Sequence, residues 1–406
     1  MKIDIFKSAS CFKNIFPKDD NNREINVYKF DDVQVTGKNL FYPNMLLKTR
    51  DQLILPLLEK TMSLKIETIY QTQNMEYEYH EADFTRVINE PLFFFVYNTD
   101  NYYHFIYDTL PYLISYFELK KNIPNLKLLM QHPNAQKKEL YRFVIEFLEI
   151  LDISKNDIRI ANSNYLYNEI YISTSYTHDI DSNLPPRKEI FCFYKKIVDI
   201  VKNSFPVIET PKKIYVSRRS WIHNDWSNIG TNYTERRKFT NEDDLVKKLI
   251  IKGYQEVFTE NLTTIEKIQY FANATNVVGA IGGGIANVLF SSESTNLLAI
   301  VSPTFLQVNM RFKYCLDCVN VSYDNNTKHT DTSEFKTYMR VKTKHDNIIG
   351  EIKAIHDNKL FVSVTDRTNI AWNAQNNYKQ IELSFDEVEK LDDGLNSPWV
   401  YEIPYF

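Results

Sequence analysis

The chain has 406 residues, 43% of them apolar and 25% charged, and its 48 basic and 52 acidic side chains leave a formal net charge of −4. That length suits two domains plus an extra module, and the slightly acidic balance lacks the basic field of a general nucleic-acid binder. No apolar run is long enough for a membrane span, Met1–Phe6 lacks the apolar core of a signal peptide, and four cysteines do not make a disulfide framework at this size.

Residues 1–85 show a mixed pattern without a clear element. Leu92–Tyr97 is a dense β-type run, and Asn98–Asn101 forms a turn after it. The stretch from Tyr102 to Leu113 reads as a helix, which puts His104 and Asp108 four apart on one face. Leu126–Met130 is a further strand. A helix is predicted from Ala135 to Leu148, with Leu140, Val144, Phe147 and Leu148 inward. Ile158–Ile160 and Glu169–Ile172 read as strands, and Pro185–Pro186 opens a helix to about Val201. This first α/β unit ends at a linker between Ser204 and Pro211.

Lys213–Ser217 is the first strand of a second unit, with Arg218 and Arg219 at its end. Thr240 reads as the N-cap of a helix with Leu245, Val246, Leu249 and Ile250 on its apolar face. Gly253 stops it. A strand at Glu256–Phe258 precedes a capping box, Thr263–Glu266, which opens a helix to about Ala274. Strands at 277–280 and Leu297–Val301 complete a β-α-β-α-β-α-β order, the pattern of a parallel sheet covered by helices. From about Asp331 the periodicity turns to short β runs, with a hairpin predicted around His356–Lys359. Trp372, Trp399, Tyr401 and Tyr405 in this tail suit either a small β core or a sugar-stacking surface.

Four of the nine glycines, Gly279, Gly282, Gly283 and Gly284, fall between the strand at 277–280 and an apolar stretch of helical character. Glycines there let backbone N–H groups approach a ligand, and the helix dipole favours an anion. A phosphate or diphosphate is the natural guest; the plain structural alternative is a tight turn. In a parallel sheet, ligands bind beyond the carboxyl ends of the strands, where Arg218, Arg219, Glu260 and the glycines all lie. Cys315 and Cys318 form a lone CxxC with no second ligand pair, so no metal site is expected.

Taken together, Ile214–Arg219, Arg237–Glu242, Glu260 with Leu262, and Val277–Phe290 resemble glycosyltransferase family 61, and so does Asn101–Phe105 with Asp108–Pro111. The resemblance spans about residues 90–305. Three positions depart from the family's pattern: Ile281 stands where it has histidine, Gly283 where it has alanine, and Lys267 where it often has glutamine. The resemblance implies an α/β protein of GT-B type, with two facing Rossmann-like domains containing parallel sheets. With the boundaries read above, these are an acceptor-side domain at 1–205 and a donor-binding domain at 206–330, followed by a small β-rich module at 331–406. The expected activity is that of an inverting, metal-independent hexosyl- or pentosyltransferase of polysaccharide biosynthesis.

On this reading the donor is a nucleotide sugar, expected to be UDP-linked, and the acceptor is a hydroxyl of a glycan or glycoconjugate. No separate cofactor is required. Charge growing on the leaving diphosphate must be met by cations and N–H groups. The expected donor site comprises Arg218, Arg219, Arg237, Asn241, Glu242, Glu260, Gly282, Gly283, Gly284, Ile285 and Asn287. His104 or Asp108 is the expected base, or Asp108 orients His104. The expected location is cytoplasmic, with a peripheral position at the cytoplasmic face of a membrane also compatible, and oligomers are permitted. Two alternatives are a non-catalytic sugar-nucleotide- or glycan-binding homologue, suggested by Ile281, and a dinucleotide oxidoreductase. The latter is disfavoured because its glycines belong in the first β-α turn.

Overall fold

The computed structural model describes residues 4–5, 11–36, 46–49, 52–53, 85–95, 99, 101–131, 139–162, 164–177, 184–219, 240–303, 310–329, 335, 339–364, 380–392 and 399–404. The predicted site residue Arg237 and the aromatics Trp372 and Tyr405 lie outside them. The protein is a mixed α/β structure with parallel sheets, as the alternation of elements predicts.

The first sheet runs in the order 158–160, 127–130, 92–94, 170–173, 25–30, 11–16. Its first four strands are parallel, and the last two are added antiparallel. Leu92, Phe93 and Phe94 are fully buried, as expected of a strand covered on both faces. The helix Glu189–Ser204 buries Ile190, Phe193, Tyr194, Ile197, Val198 and Val201, a spacing that forms one apolar stripe. It starts later than Pro185–Pro186 suggested, because the lead-in stays extended, with Arg187 N–H bonded to the Tyr176 carbonyl at 2.9 Å.

The second sheet is five-stranded and wholly parallel, in the order 255–257, 213–216, 276–280, 296–300, 320–324. Alternation divides its side chains between two cores. Ile214, Val216 and Val277 join the large core that continues into the first unit. Tyr215 and Val278 face the helix Glu242–Ile251, where they meet Leu245, Val246, Trp399 and Tyr401. Trp399 and Tyr401 are therefore core residues here, on a strand that pairs with Thr327–His329. This strand also changes the helix start. Thr240 N–H donates to the Trp399 carbonyl, and the Asn241 amide exchanges hydrogen bonds with the Tyr401 main chain at 2.7 and 3.1 Å. Thr240 is thus not the N-cap; that position is Asn241, without a side-chain capping bond. The capping box at Thr263 and Glu266 is present as predicted, and Gly253, at φ +78°, ends its helix.

In the tail, five antiparallel strands follow the order 380–384, 359–364, 349–356, 340–343, 388–392 around Met339, Val341, Ile352, Leu360, Val362 and Val388. The predicted hairpin is there. Its two turn residues, Asp357 and Asn358, both have positive φ, 49° and 60°, as a type I′ turn requires.

The segment after Asn101 is more irregular than the single helix predicted. It runs as an α turn at Tyr102–His104, a π turn at Phe105–Thr109, a 3₁₀ turn at Leu110–Tyr112 and an α-helix at Leu113–Lys120. Pro111 explains the change, since it has no N–H to donate to the preceding turn. The Leu110 N–H reaches back five residues to the Phe105 carbonyl. The next such bond would join Pro111 to the Ile106 carbonyl, and Tyr194 Oη donates to that carbonyl instead, at 2.6 Å. A buried carbonyl left without a donor costs about 1–3 kcal/mol. Tyr194→Phe is therefore expected to lower stability by about that much, read as a drop in urea midpoint with an unchanged m-value.

Candidate functional site

Three adjacent parallel strands end at one place. The strand Lys213–Val216 delivers Ser217 and Arg218, the strand Gln255–Val257 delivers Thr259 and Glu260, and the strand Asn276–Ala280 delivers the glycine loop. None of Gly279, Gly282, Gly283 and Gly284 adopts positive φ, so space, not left-handed backbone, accounts for them. A Cβ on Gly282 would lie 2.0 Å from Arg218 Nη2. On Gly284 it would meet Val216 Cγ1 at 2.8 Å, and on Gly279 Ile285 Cγ2 at 2.5 Å. Gly283 faces the first unit, 3.9 Å from Tyr103 Cβ and 4.0 Å from Tyr102 Cδ1 by the same measure. Among the described residues, the N–H groups of Gly282, Gly283 and Gly284 donate to no carbonyl.

The chain leaves the loop as a 3₁₀ turn, Ile285–Phe290, rather than a longer helix. Asn287 is fully buried, donates from Nδ2 to the Gly284 carbonyl at 2.8 Å and accepts from Tyr102 Oη at 2.5 Å. Ile285 is also fully buried. These two residues build the loop and tie it to the first unit. Ile281, 3% exposed, offers only its backbone, which donates to the Ile300 carbonyl.

The two arginines after the first strand divide their work. Arg219 is held by Glu256 and Asp243, with Nε at 2.8 Å and Nη1 at 2.7 Å from their oxygens. Arg218 lies on Gly282, and its buried Nη1 has no hydrogen-bond partner among the described residues. Burial pulls its pKa down, opposed by the Glu242 and Glu260 carboxylates; a guanidinium stays charged regardless. Glu242 is 5% exposed and serves the loop from beneath. Its Oε1 accepts from the Arg218 N–H at 2.7 Å, Tyr215 Oη at 2.8 Å and Ser217 Oγ at 3.1 Å. Glu260 is half-buried at the same strand ends, and burial pushes its carboxyl pKa up. Asn241 is engaged with the strand Trp399–Tyr401, away from the loop.

His104, at the end of the α turn, and Asp108, on the π turn, meet side by side. His104 Nδ1 lies 2.7 Å from Asp108 Oδ2. An ionised carboxylate only accepts, so Nδ1 carries the proton and Nε2 is the free basic nitrogen. Asp108 also accepts from Thr177 Oγ1 at 3.4 Å, and Arg311 Nη1 stands 3.8 Å from it. Sequence reasoning missed Arg311. It lies on the short helix Met310–Leu316, whose Phe312 stacks on Tyr103 with ring centroids 4.0 Å apart, and only that packing relates it to Asp108. It also missed Tyr102, whose hydroxyl joins the two units.

The structure thus brings Arg218, Glu260 and the glycine loop to the ends of adjacent strands, and ties the loop through Asn287 to Tyr102, two residues before His104. Arg219, Asn241 and Glu242 are engaged with other groups of the protein. Among the described residues no group of three or more His, Cys, Asp or Glu side chains is set to hold a metal, and no helix is long and apolar enough to cross a membrane. Comparison with known families gives a match over residues 102–298 to the model described as Glycosyltransferase 61. No curated protein matches the chain.

The two glycine contacts differ in what they strike. In Gly282→Ala the methyl meets the far end of a flexible arginine, so the fold is expected to survive with a melting point within a few degrees of wild type. Binding of inorganic pyrophosphate is expected to fall, because Arg218 is displaced. In Gly279→Ala the methyl meets packed core, and the melting point itself should drop. Thermal denaturation beside pyrophosphate titration separates the two.

Proposed function

We propose that the chain, which over residues 102–298 matches the glycosyltransferase 61 family, is a member of that family and transfers a hexosyl or pentosyl group, with inversion, from a nucleoside diphosphate sugar to a hydroxyl of a glycan or glycoconjugate in polysaccharide biosynthesis. The observation that carries this is the Arg218 guanidinium, which lies through Nη2 on the side-chain-free main chain of Gly282 while its Nη1 has no hydrogen-bond partner among the described residues.

On this reading the glycine N–H groups and Arg218 receive the diphosphate, with UDP as the expected carrier. Arg237, Asn241 and Glu242 complete or brace the donor side, and Glu260 faces the sugar. The acceptor oxygen attacks the anomeric carbon. Its proton passes to His104 Nε2, the bond from that carbon to the diphosphate oxygen breaks, and the electron pair leaves with the diphosphate. Asp108 holds the imidazole and stabilises the imidazolium, and Arg311 and Thr177 hold Asp108. Fixed cations and dipoles stabilise the leaving group electrostatically, so the proposed chemistry is metal-independent. The proposal includes a GT-B arrangement, with the acceptor on 1–205, the donor on 206–330 and the tail at 331–406 as an added module, and a station in the cytoplasm or at the cytoplasmic face of a membrane.

The test is a transfer assay with UDP-, GDP- and CMP-linked sugars and oligosaccharide acceptors. His104→Ala is expected to lower kcat by about 10²–10⁴-fold with little change in donor KM, the range for loss of a general base. Asp108→Asn should also lower kcat, since it misorients the ring. Near-normal turnover in both would remove them from the chemistry. Ile281 favours a second reading, a homologue that binds without catalysis, because it supplies no polar group to the loop. Donor binding without release of free nucleotide from any sugar in the panel would select that reading.

A further inference from the structure

Lys267 has no role in the machinery above. It lies on the helix Thr264–Asn273 and is only 7% exposed. Its Nζ stands over the Tyr102 ring, 4.4 Å from the centroid. Its backbone N–H donates to the Thr263 carbonyl at 2.9 Å, and among the described residues Nζ makes no hydrogen bond and no ion pair within 4 Å. The charged groups facing it are Glu146 and Arg142 from the helix Arg142–Ile150, Glu260 from the turn Thr259–Asn261, and Glu266 on its own helix. Glu146 is committed to the Thr264 N–H and hydroxyl, at 2.9 and 2.6 Å, and to Arg142. Glu266 is committed to the capping box with Thr263. Burial pushes Glu260 toward its neutral form.

An ammonium on a mostly buried side chain, over an aromatic face and with the carboxylates near it bonded to other groups or pushed toward neutrality, is placed to receive an added anion. The place for that anion is defined by Tyr102. The ring under Lys267 is the one whose Cδ1 approaches Gly283, and its hydroxyl bonds to Asn287 at the end of the same loop. Arg218 reaches the loop at Gly282, and the Glu260 carboxyl lies within electrostatic range of both cations.

We propose that Lys267 is a phosphate-binding residue, pairing with Arg218 across the glycine loop so that the two cations receive the diphosphate of the donor. This rests on the reading of the loop as a nucleotide-sugar site. It makes donor binding pH-dependent. Burial, opposed by the Glu146 carboxylate, holds the Lys267 pKa down at about 8. The ammonium is the binding form, so affinity is level below that pH. Above it the free protein loses the proton, and binding must take it back up. A phosphate's last proton leaves near pH 6, so the diphosphate itself does not titrate in this range; the uracil and guanine bases lose a proton toward its upper end, and CDP, whose base does not, separates that from the titration of Lys267.

The experiment is calorimetric titration of the full chain with UDP, GDP and CDP, each beside its monophosphate, from about pH 7 to 9.5, in buffers of different ionisation enthalpy. Expected for wild type is tighter binding of one diphosphate than of its monophosphate, affinity falling by up to about tenfold per pH unit above pH 8, and proton uptake on that limb. Lys267→Gln is expected to bind that diphosphate at least about tenfold more weakly, with no decline above pH 8. A folded Lys267→Gln variant with wild-type affinity and the same pH curve overturns the inference and leaves the donor site standing. If the variant does not fold, wild type decides: affinity level across the whole range, without proton uptake, overturns it. Failure of wild type to bind any diphosphate overturns the donor reading and this inference with it.

Discussion

Arg218 lies against the main chain of Gly282 with no room for a methyl group between them, and the rest of the site is arranged around that contact. A guanidinium so placed needs its own backbone fixed. Glu242 does this from below, accepting from the Arg218 N–H and from two hydroxyls at once. Burial pushes the Glu242 carboxyl pKa up, and the three donors that converge on it oppose that shift. The carboxylate's negative charge also favours the guanidinium above it. The strand end, the buried acid and the helix Glu242–Ile251 thus form one mount for a cation whose Nη1 has no hydrogen-bond partner among the described residues.

The second constraint is the meeting of the two parallel-sheet units at Tyr102 and Tyr103. One tyrosine bonds through its hydroxyl to Asn287, and the other packs beside Gly283 and stacks on Phe312. His104 follows immediately. The same few residues therefore connect the glycine loop to the imidazole–carboxylate pair. A single core continues through both units, with Phe147 and Tyr194 of the first ring-packed on Phe290 of the second. Such packing resists small displacements, which keeps the two halves of the site in register.

The π turn belongs to the same design. Pro111 breaks the ordinary ladder, Tyr194 takes up the carbonyl this leaves, and Asp108 on the widened turn comes within 2.7 Å of His104. Turns of this kind recur at functional positions because they aim side chains that a regular helix would not. Lys267 and Arg311 approach the site from further along the chain, each brought there by the packing of its own helix.

Much of this was legible in the amino-acid sequence. The alternation of apolar runs and capped helices dictated the parallel sheet of 206–330, since side-chain periods of 2 and 3.6 and the capping box at Thr263 are local properties. The glycine cluster marked the loop, and the four-residue spacing marked His104 and Asp108. What local pattern could not supply was the direction of each side chain. Arg218 and Arg219 are neighbours of the same type, yet one braces Glu256 and the other lies on Gly282. Asn241 and Glu242 look alike as helix-start residues, yet one holds a strand some 160 residues away and the other a loop beneath the site. Lys267 enters the sequence reading only as a departure from a family glutamine, and only packing places it over Tyr102. The sequence by itself determined which elements form and in what order, because those depend on neighbours along the chain. Only the tertiary structure decided which charges are paired within the fold and which are left without a partner among the described residues, because burial and pairing are set by residues distant in sequence.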